Sequence, residues 1–385
     1  MGTCRFARGA LAMTGRRGSV PVAWRQLRSE PAKAFVALAA VAAAVALVLL
    51  LSGLRRGMGE QVTVYLRRQP PVLVGQAGAR DFLSQTSILP EGVAARVARV
   101  PGVVDAAPIS EGYAMLRLHG RRVLALLIGY DRGRRGGPWD LGEGRAPAAR
   151  GEVVLDRVLA DEHGLGIGST LRFGGADLRV VGLSRGTSGF MTPIAFTTRE
   201  TANALNQQPR TATFVLVTVR PGSDAASVGS RIEATVPGVS ALLRDDLARR
   251  DRALFVGAFS GPLLAMILIA AAVAVLVIAI TVYGSTRDRS REYATLKAIG
   301  LERRALMRLV AIHAGALALV GAALGLVVAL VASRGVAALF PKYLIALTGT
   351  DALGMGLAAL VFALLAGFAP ARYLAGLDPS TAFRR

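Results

Sequence analysis

The stretch Met266–Ile280 reads MILIAAAVAVLVIAI, inside a charge-free run from about Leu254 to Gly284. A helix rises 1.5 Å per residue and a bilayer's hydrocarbon core is ~30 Å thick, so about 20 apolar residues make a span. This run is long enough to be one. Working outward, residues 34–54 form a second charge-free run, and 306–332 a third, interrupted only by Arg308 and His313 near its start. A fourth, 353–371, is closed by Pro370 and Arg372. The expectation is an α-helical membrane protein with four transmembrane helices at 34–54, 254–284, 306–332 and 353–371. The first run outlasts the apolar part of a signal peptide and is followed by Arg55 and Arg56, not by a small-residue cleavage site, so it is read as uncleaved. Translation starts at Met1 or Met13.

Orientation follows from arginine and lysine in the short flanks. Arg5, Arg8, Arg16, Arg17, Arg25, Arg28 and Lys33 precede the first span; Arg287, Arg289, Arg291, Lys297, Arg303, Arg304 and Arg308 lie at the second connection. Arg334 and Lys342 alone mark the third connection, whereas the tail carries Arg372, Arg384 and Arg385. The N-terminus (1–33), the connection 285–305 and the tail (372–385) are therefore placed in the cytoplasm. Residues 55–253 and the short loop 333–352 lie outside. Within the N-terminus, Ala23–Arg28 reads either as an amphipathic interfacial helix with Trp24 at headgroup level or as a plain charged flank. Net charge is +21, from 46 Lys+Arg against 25 Asp+Glu, and that balance invites a nucleic-acid reading. The topology accounts for most of it, and no aromatic-interleaved basic patch appears, so no nucleic-acid partner is expected.

The 55–253 loop is long enough for a domain with its own core. Glu91–Arg99 reads as a helix leading into Val100-Pro101-Gly102-Val103, and Ala225–Ala234 leads into Val236-Pro237-Gly238-Val239. Proline and glycine stop each helix, and a strand begins. Thr211–Val219, β-branched and partly alternating, is a strand by pattern. The expectation is an α+β extracytoplasmic domain inserted between helices 1 and 2: one α/β subdomain split into 55–130 and 210–253, with a strand-rich insert at 131–209. Chemistry is hard to find in it. Cys4 is the only cysteine, His119, His163 and His313 are scattered, and neither G-x-S-x-G nor H-E-x-x-H occurs. Asp161-Glu162-His163 reads as a charged helix end. No catalytic, cofactor-binding or metal site is expected. The lysines Lys33, Lys297 and Lys342 all lie outside any G-x-x-x-x-G-K-[ST] loop, so this chain has no ATP-binding motif.

Residues 287–310, RDRSREYATLKAIGLERRALMRLV, place Tyr293, Leu296 and Ile299 at three-residue spacing among charges, and Gly300 breaks the helix. An apolar knob between basic residues suits a groove on another protein; docking on anionic lipid fits the charge equally well. In the third span Gly321-x-x-x-Gly325 permits close helix packing, at a dimer or stalk contact or within the monomer.

Arg291-Glu292-Tyr293-Ala294-Thr295-Leu296-Lys297-Ala298-Ile299-Gly300, followed by Arg303-Arg304 and a Gly/Ala/Leu-rich helix, resembles the FtsX-like, MacB-type permease family of ABC transporters. Tyr293 stands where a small or aliphatic residue is commoner. Leu377-Asp378-Pro379-Ser380-Thr381-Ala382-Phe383-Arg384 is similar to the family's terminal motif, and 151–173 with 180–183 resembles part of the MacB-like periplasmic core domain. DevC-type and LolC/LolE-type members, which lack a fused ATPase, look most similar. The resemblance implies a permease in the bacterial cytoplasmic (inner) membrane, paired with a second copy or a sister permease and with two ABC ATPase subunits that bind ATP and Mg. A periplasmic adaptor or membrane-fusion protein is a further partner it allows. It also implies that Arg291, Glu292, Leu296, Lys297 and Gly300 couple the ATPase to the outer domain by mechanotransmission, for export or extraction of a lipid, lipoprotein, peptide or small molecule. The rival is a membrane-anchored regulator that signals to a cell-envelope enzyme or sensor kinase.

Overall fold

The structure, a computed structural model, describes residues 31–83, 87–118, 121–173, 176–189, 192–288 and 303–376. Helix α1 (Pro31–Val62) carries the first apolar run and continues through Arg55 and Arg56 beyond it. A 3-10 turn at Leu66–Arg68 then leads into strand β1 (Val72–Gln76), the short β2 (Leu89–Pro90), helix α2 (Gly92–Val97) and the long β3 (Val103–Leu118). Next come β4 (Arg121–Tyr130), β5 (Leu141–Gly144), β6 (Glu152–Asp156), α3 (Arg157–Glu162), β7 (Thr170–Phe173), β8 (Ala176–Ser184) and β9 (Ile194–Thr198). Helix α4 (Arg199–Leu205), β10 (Thr211–Ala212), β11 (Phe214–Val219), α5 (Ala225–Thr235) and β12 (Val239–Leu243) complete this part. Three long helices follow: α6 (Arg244–Asp288), α7 (Arg303–Leu339) and α8 (Gly349–Gly376).

These elements divide into two compact bodies. Of the described residues, one body takes 31–53, 264–288, 303–334 and 347–376; the other takes those within Leu54–Leu263 and Gly335–Ala346. In the helical body, Val41, Val45 and Leu49 of α1 pack on Leu317, Ala318, Ala322 and Ala329 of α7 and on Ala359 of α8. By length and composition, Leu38–Val62, Gly261–Thr281 and Gly315–Leu339 are long and apolar enough to cross a membrane, and α8 carries a shorter apolar stretch, Gly349–Phe362. Leu268, Ile269, Leu276 and Ile280 of α6 are exposed. A file of bare aliphatic side chains like this one asks for hydrocarbon around it, not water.

The second body is built on one ten-stranded sheet in the order β12-β1-β11-β3-β4-β9-β6-β8-β5, with β7 pairing β3 and β8. The two strand–helix–strand units, β1–α2–β3 and β11–α5–β12, interleave within it. β1 lies antiparallel between β11 and β12, and β11 lies antiparallel to β3, so β1 and β3 run parallel across β11. That is a split β-α-β arrangement. Alternation assigns the faces. Val72, Val74, Val215 and Val217 bury one side under Val93 and Val97 of α2 and Val228 and Ile232 of α5. Leu73, Phe214 and Leu216 point to the other side, into a core shared with Ile128, Val154 and Phe196. At the far end, Leu127, Val153, Leu155 and Ala195 pack with Leu159 of α3 and Ala202 of α4. Strands from residues 131–209 thus extend the same sheet, joined to it by β4–β9 and β3–β7 pairing. Asp156 caps α3 and Asp224 caps α5, each accepting hydrogen bonds from first-turn N–H groups.

Candidate functional site

The stretch expected to couple to an ATPase, with Arg291, Glu292, Leu296, Lys297 and Gly300, lies in residues 289–302, outside the described residues. What the structure resolves is how the long helices are rooted in the sheet domain. Past the end of α1, the Tyr65 ring stacks on Phe82 at 5.3 Å between centroids and 17° between planes, and Phe82 meets Phe214 at 5.2 Å. The Tyr65 hydroxyl donates to the Gly136 carbonyl at 3.1 Å. From α6, Leu247 is buried in the same cluster, and Asp251 Oδ1 accepts from the backbone N–H of Phe82 (3.0 Å) and of Leu83 (3.4 Å). Phe82 therefore holds α1's extension with its ring and α6 with its backbone. The Arg252 side chain of α6 reaches across to α1: a methyl group at Gly59 would fall 2.5 Å from its Nε.

Two carboxyls sit in this root with no ion-pair partner among the described residues. Burial raises Asp251 to about 6 despite its two N–H donors, with Asp81 adding to the effect. On β3, Glu111 shares a face with Ala107 and Ile109 and is buried; burial, then the charge of Asp251, pushes its carboxyl well above the usual range. Glu111 Oε2 and Asp251 Oδ2 have no hydrogen-bond partner among the described residues. Burial and, second, Glu111 also push the Tyr65 phenol up. A lone carboxylate in such a place costs free energy, and keeping the proton avoids most of it. Neither acid is singled out by the sequence motifs. Alternation along Ala107, Ile109 and Glu111 is the signal that would have placed Glu111 inward; Asp251, within Arg249-Arg250-Asp251-Arg252, reads as ordinary charged flank.

A third strand of chain reaches this body. Gln61 Nε2 donates to the Lys342 carbonyl at 2.8 Å, and Lys342 Nζ donates to Glu162 Oε1 at 3.1 Å. Gly57 leaves room for the segment to pass, since a methyl there would lie 1.7 Å from the Leu344 carbonyl oxygen. In the helical body, Gly321 and Gly325 face α1. A methyl at Gly321 would lie 2.6 Å from Val41 Cγ1, and one at Gly325 2.8 Å from the Ala42 carbonyl oxygen and 2.9 Å from Val45 Cβ. Glycine lets the two backbones approach. Among the described residues no group of three or more His, Cys, Asp and Glu could hold a metal ion.

Apolar helices with bare aliphatic faces, and a sheet domain set between the first two of them in the chain, define a membrane protein with a folded domain outside its spans. Residues 34–235 match the MacB-like periplasmic core domain, and 264–379 match the FtsX-like permease C-terminal family. An uncharacterised ABC transporter permease of Mycobacterium tuberculosis (strain H37Rv) is 30% identical over 88% of this chain and 91% of its own. One from Mycobacterium bovis is 28% identical over 94% of this chain and 97% of its own. The solved periplasmic region of MacB from Actinobacillus actinomycetemcomitans aligns with a TM-score of 0.37 and 13% identity, covering 51% of this chain and 94% of that one. The chain belongs to the FtsX-like ABC transporter permeases that carry a MacB-like periplasmic core domain. Such permeases are the membrane components of their transporters and are not themselves the catalysts.

Proposed function

We propose that this chain couples ATP hydrolysis on a separate ATPase polypeptide to movement of its periplasmic core domain, for export or extraction of a lipid, lipoprotein, peptide or small molecule. It does so with four spans in the bacterial cytoplasmic membrane and both termini in the cytoplasm. It pairs with a second copy or a sister permease and with two ATPase subunits, which carry ATP and Mg. The observation that supports this reading most is that α6 runs as one helix from Arg244 to Asp288, with Pro262 inside it. At 1.5 Å per residue that is about 68 Å of continuous helix, with Leu247 and Asp251 embedded in the sheet domain near one end and the 289–302 stretch following the other. A helix rooted in this way transmits tilt and translation, where a flexible linker would absorb them.

The test is a pull-down from gently solubilised membranes, comparing tagged wild type with Leu296→Asp. Wild type is expected to bring an ABC ATPase subunit with it, and a charge driven into an apolar docking groove to abolish that association. Absence of any ATPase from the wild-type eluate would overturn the coupling and favour the membrane-anchored regulator.

A further inference from the structure

On the sheet domain, the start of β4, helix α3, Ser188–Gly189, Thr192–Pro193 and the Lys342–Tyr343 segment line a cleft of about 280 Å³, the volume of about nine waters in the liquid. Its charges are unevenly matched. Lys342 is paired with Glu162, and its Nζ also lies 5.7 Å from the centre of the Tyr343 ring. Asp156 is buried and fully engaged: its carboxylate accepts from the Val158 and Leu159 N–H groups at 3.1 and 3.4 Å and from the Thr187 and Ser188 hydroxyls, both at 2.7 Å. Arg122, exposed on β4, has no carboxylate within ion-pair distance among the described residues. His163 closes α3 with Nδ1 3.1 Å from the Leu159 carbonyl oxygen, which leaves Nε2 for another partner. Among the described residues the cleft therefore offers one guanidinium without an ion-pair partner and an imidazole nitrogen, while each of its carboxylates is already engaged. The rest of its lining is largely apolar: Val123, Val158, Leu159, Pro193 and the Tyr343 ring.

We infer that this cleft binds an anionic amphiphile, its charged group on Arg122 and its hydrocarbon along Val123, Val158 and Pro193. A guanidinium forks onto phosphate or carboxylate oxygens and is the better for doing so beside an apolar wall that excludes water. A bare anion would leave that wall unused, and a neutral hydrocarbon would leave the guanidinium without a partner. Lys342 and Tyr343 follow Leu339, the last residue of the apolar helix α7, by three and four positions. A lipid or lipid-like molecule is thus the occupant whose source lies nearest along the chain. The inference does not depend on coupling to an ATPase, since binding is read with the permease alone.

The test uses the full chain in phosphatidylcholine nanodiscs and a diazirine-bearing octyl monophosphate, with labelled peptides mapped by mass spectrometry. Labelling is expected to saturate, and to fall on the peptides holding Arg122–Val123, Val158–His163 and Pro193. Unlabelled octyl phosphate should compete, and inorganic phosphate or octylphosphocholine should do so about ten-fold less well or worse. Arg122→Gln should weaken binding about ten-fold or more. Arg172→Gln, which alters an exposed arginine paired with Asp177 away from the cleft, should leave binding unchanged. Labelling that does not saturate, labelling mapped elsewhere, or an unaffected Arg122→Gln protein would overturn the inference. Inorganic phosphate competing as well as octyl phosphate would also overturn it, by reducing the cleft to a phosphate site.

Discussion

Asp251 links α6 to the sheet domain through two backbone N–H groups, yet burial favours its neutral form. Its carboxyl is raised to about 6 from an ordinary 3.8, so between those values the folded chain keeps a proton that the unfolded chain has lost. Stability from this group is complete below about pH 4 and falls as pH rises through about 6, by at most about 3 kcal/mol. Glu111, also raised, acts with the same sign. Asp251→Asn keeps an oxygen to accept the two N–H bonds and removes the titration. Thermal unfolding of the solubilised chain between about pH 4 and pH 7.5 should show a falling Tm for wild type and a flatter profile for Asp251→Asn. An equal slope in both would assign the dependence to other groups. Glu111→Gln should raise Tm at about pH 8, because the folded chain no longer has to hold a proton that the unfolded chain's carboxyl gives up.

Helices and strands show how far local pattern carries. The Val-Pro-Gly-Val pairs at 100–103 and 236–239 mark where α2 and α5 give way to strands, because proline and glycine act locally. Apolar runs locate helices but understate them. α1 goes on through Arg55 and Arg56 to Val62, and α6 begins at Arg244, because polar residues form good helix once a span has nucleated it. The seam between α1 and α7 is a property of such elements and makes a contrast within one helix. Gly325→Ala puts a methyl against the Ala42 carbonyl and Val45 and should cost about 1–3 kcal/mol, read as a lower Tm in detergent. Gly335→Ala, in α7 with nothing within 4 Å of its added carbon, should be neutral or gain about 0.5–1 kcal/mol from helix propensity. Equal losses at both positions would refute the close approach at Gly325.

At the scale of the whole molecule the proposal casts α6 as a lever. Inserting a short Gly-Ser segment after Val256 should leave ATPase association intact, because the 289–302 stretch is unchanged. It should also abolish any ATP-dependent change in distance between spin labels placed at Ile167 of paired permeases. A distance change that survives the insertion would show that α6 is not the transmitting element. Long-range arrangement was the least legible part of the sequence. Strand order depends on pairing between residues far apart, such as Val72 with Val217 and Leu243, and periodicity carries no information about which strands become neighbours. The root site was hidden for the same reason: Phe82, Asp251 and Glu111 meet only when three distant segments close on one another.

The grouping of Gly335–Ala346 with Leu54–Leu263 bears on how such domains can be exchanged between relatives. A hybrid that swaps only the stretch between α1 and α6 would keep the recipient's Lys342 and the Gln61 amide that holds its carbonyl, yet lose the glutamate that Lys342 grips. Two cuts in the chain look sufficient on paper. The physical module has four, and a transplant that respects all of them carries its own clasp along.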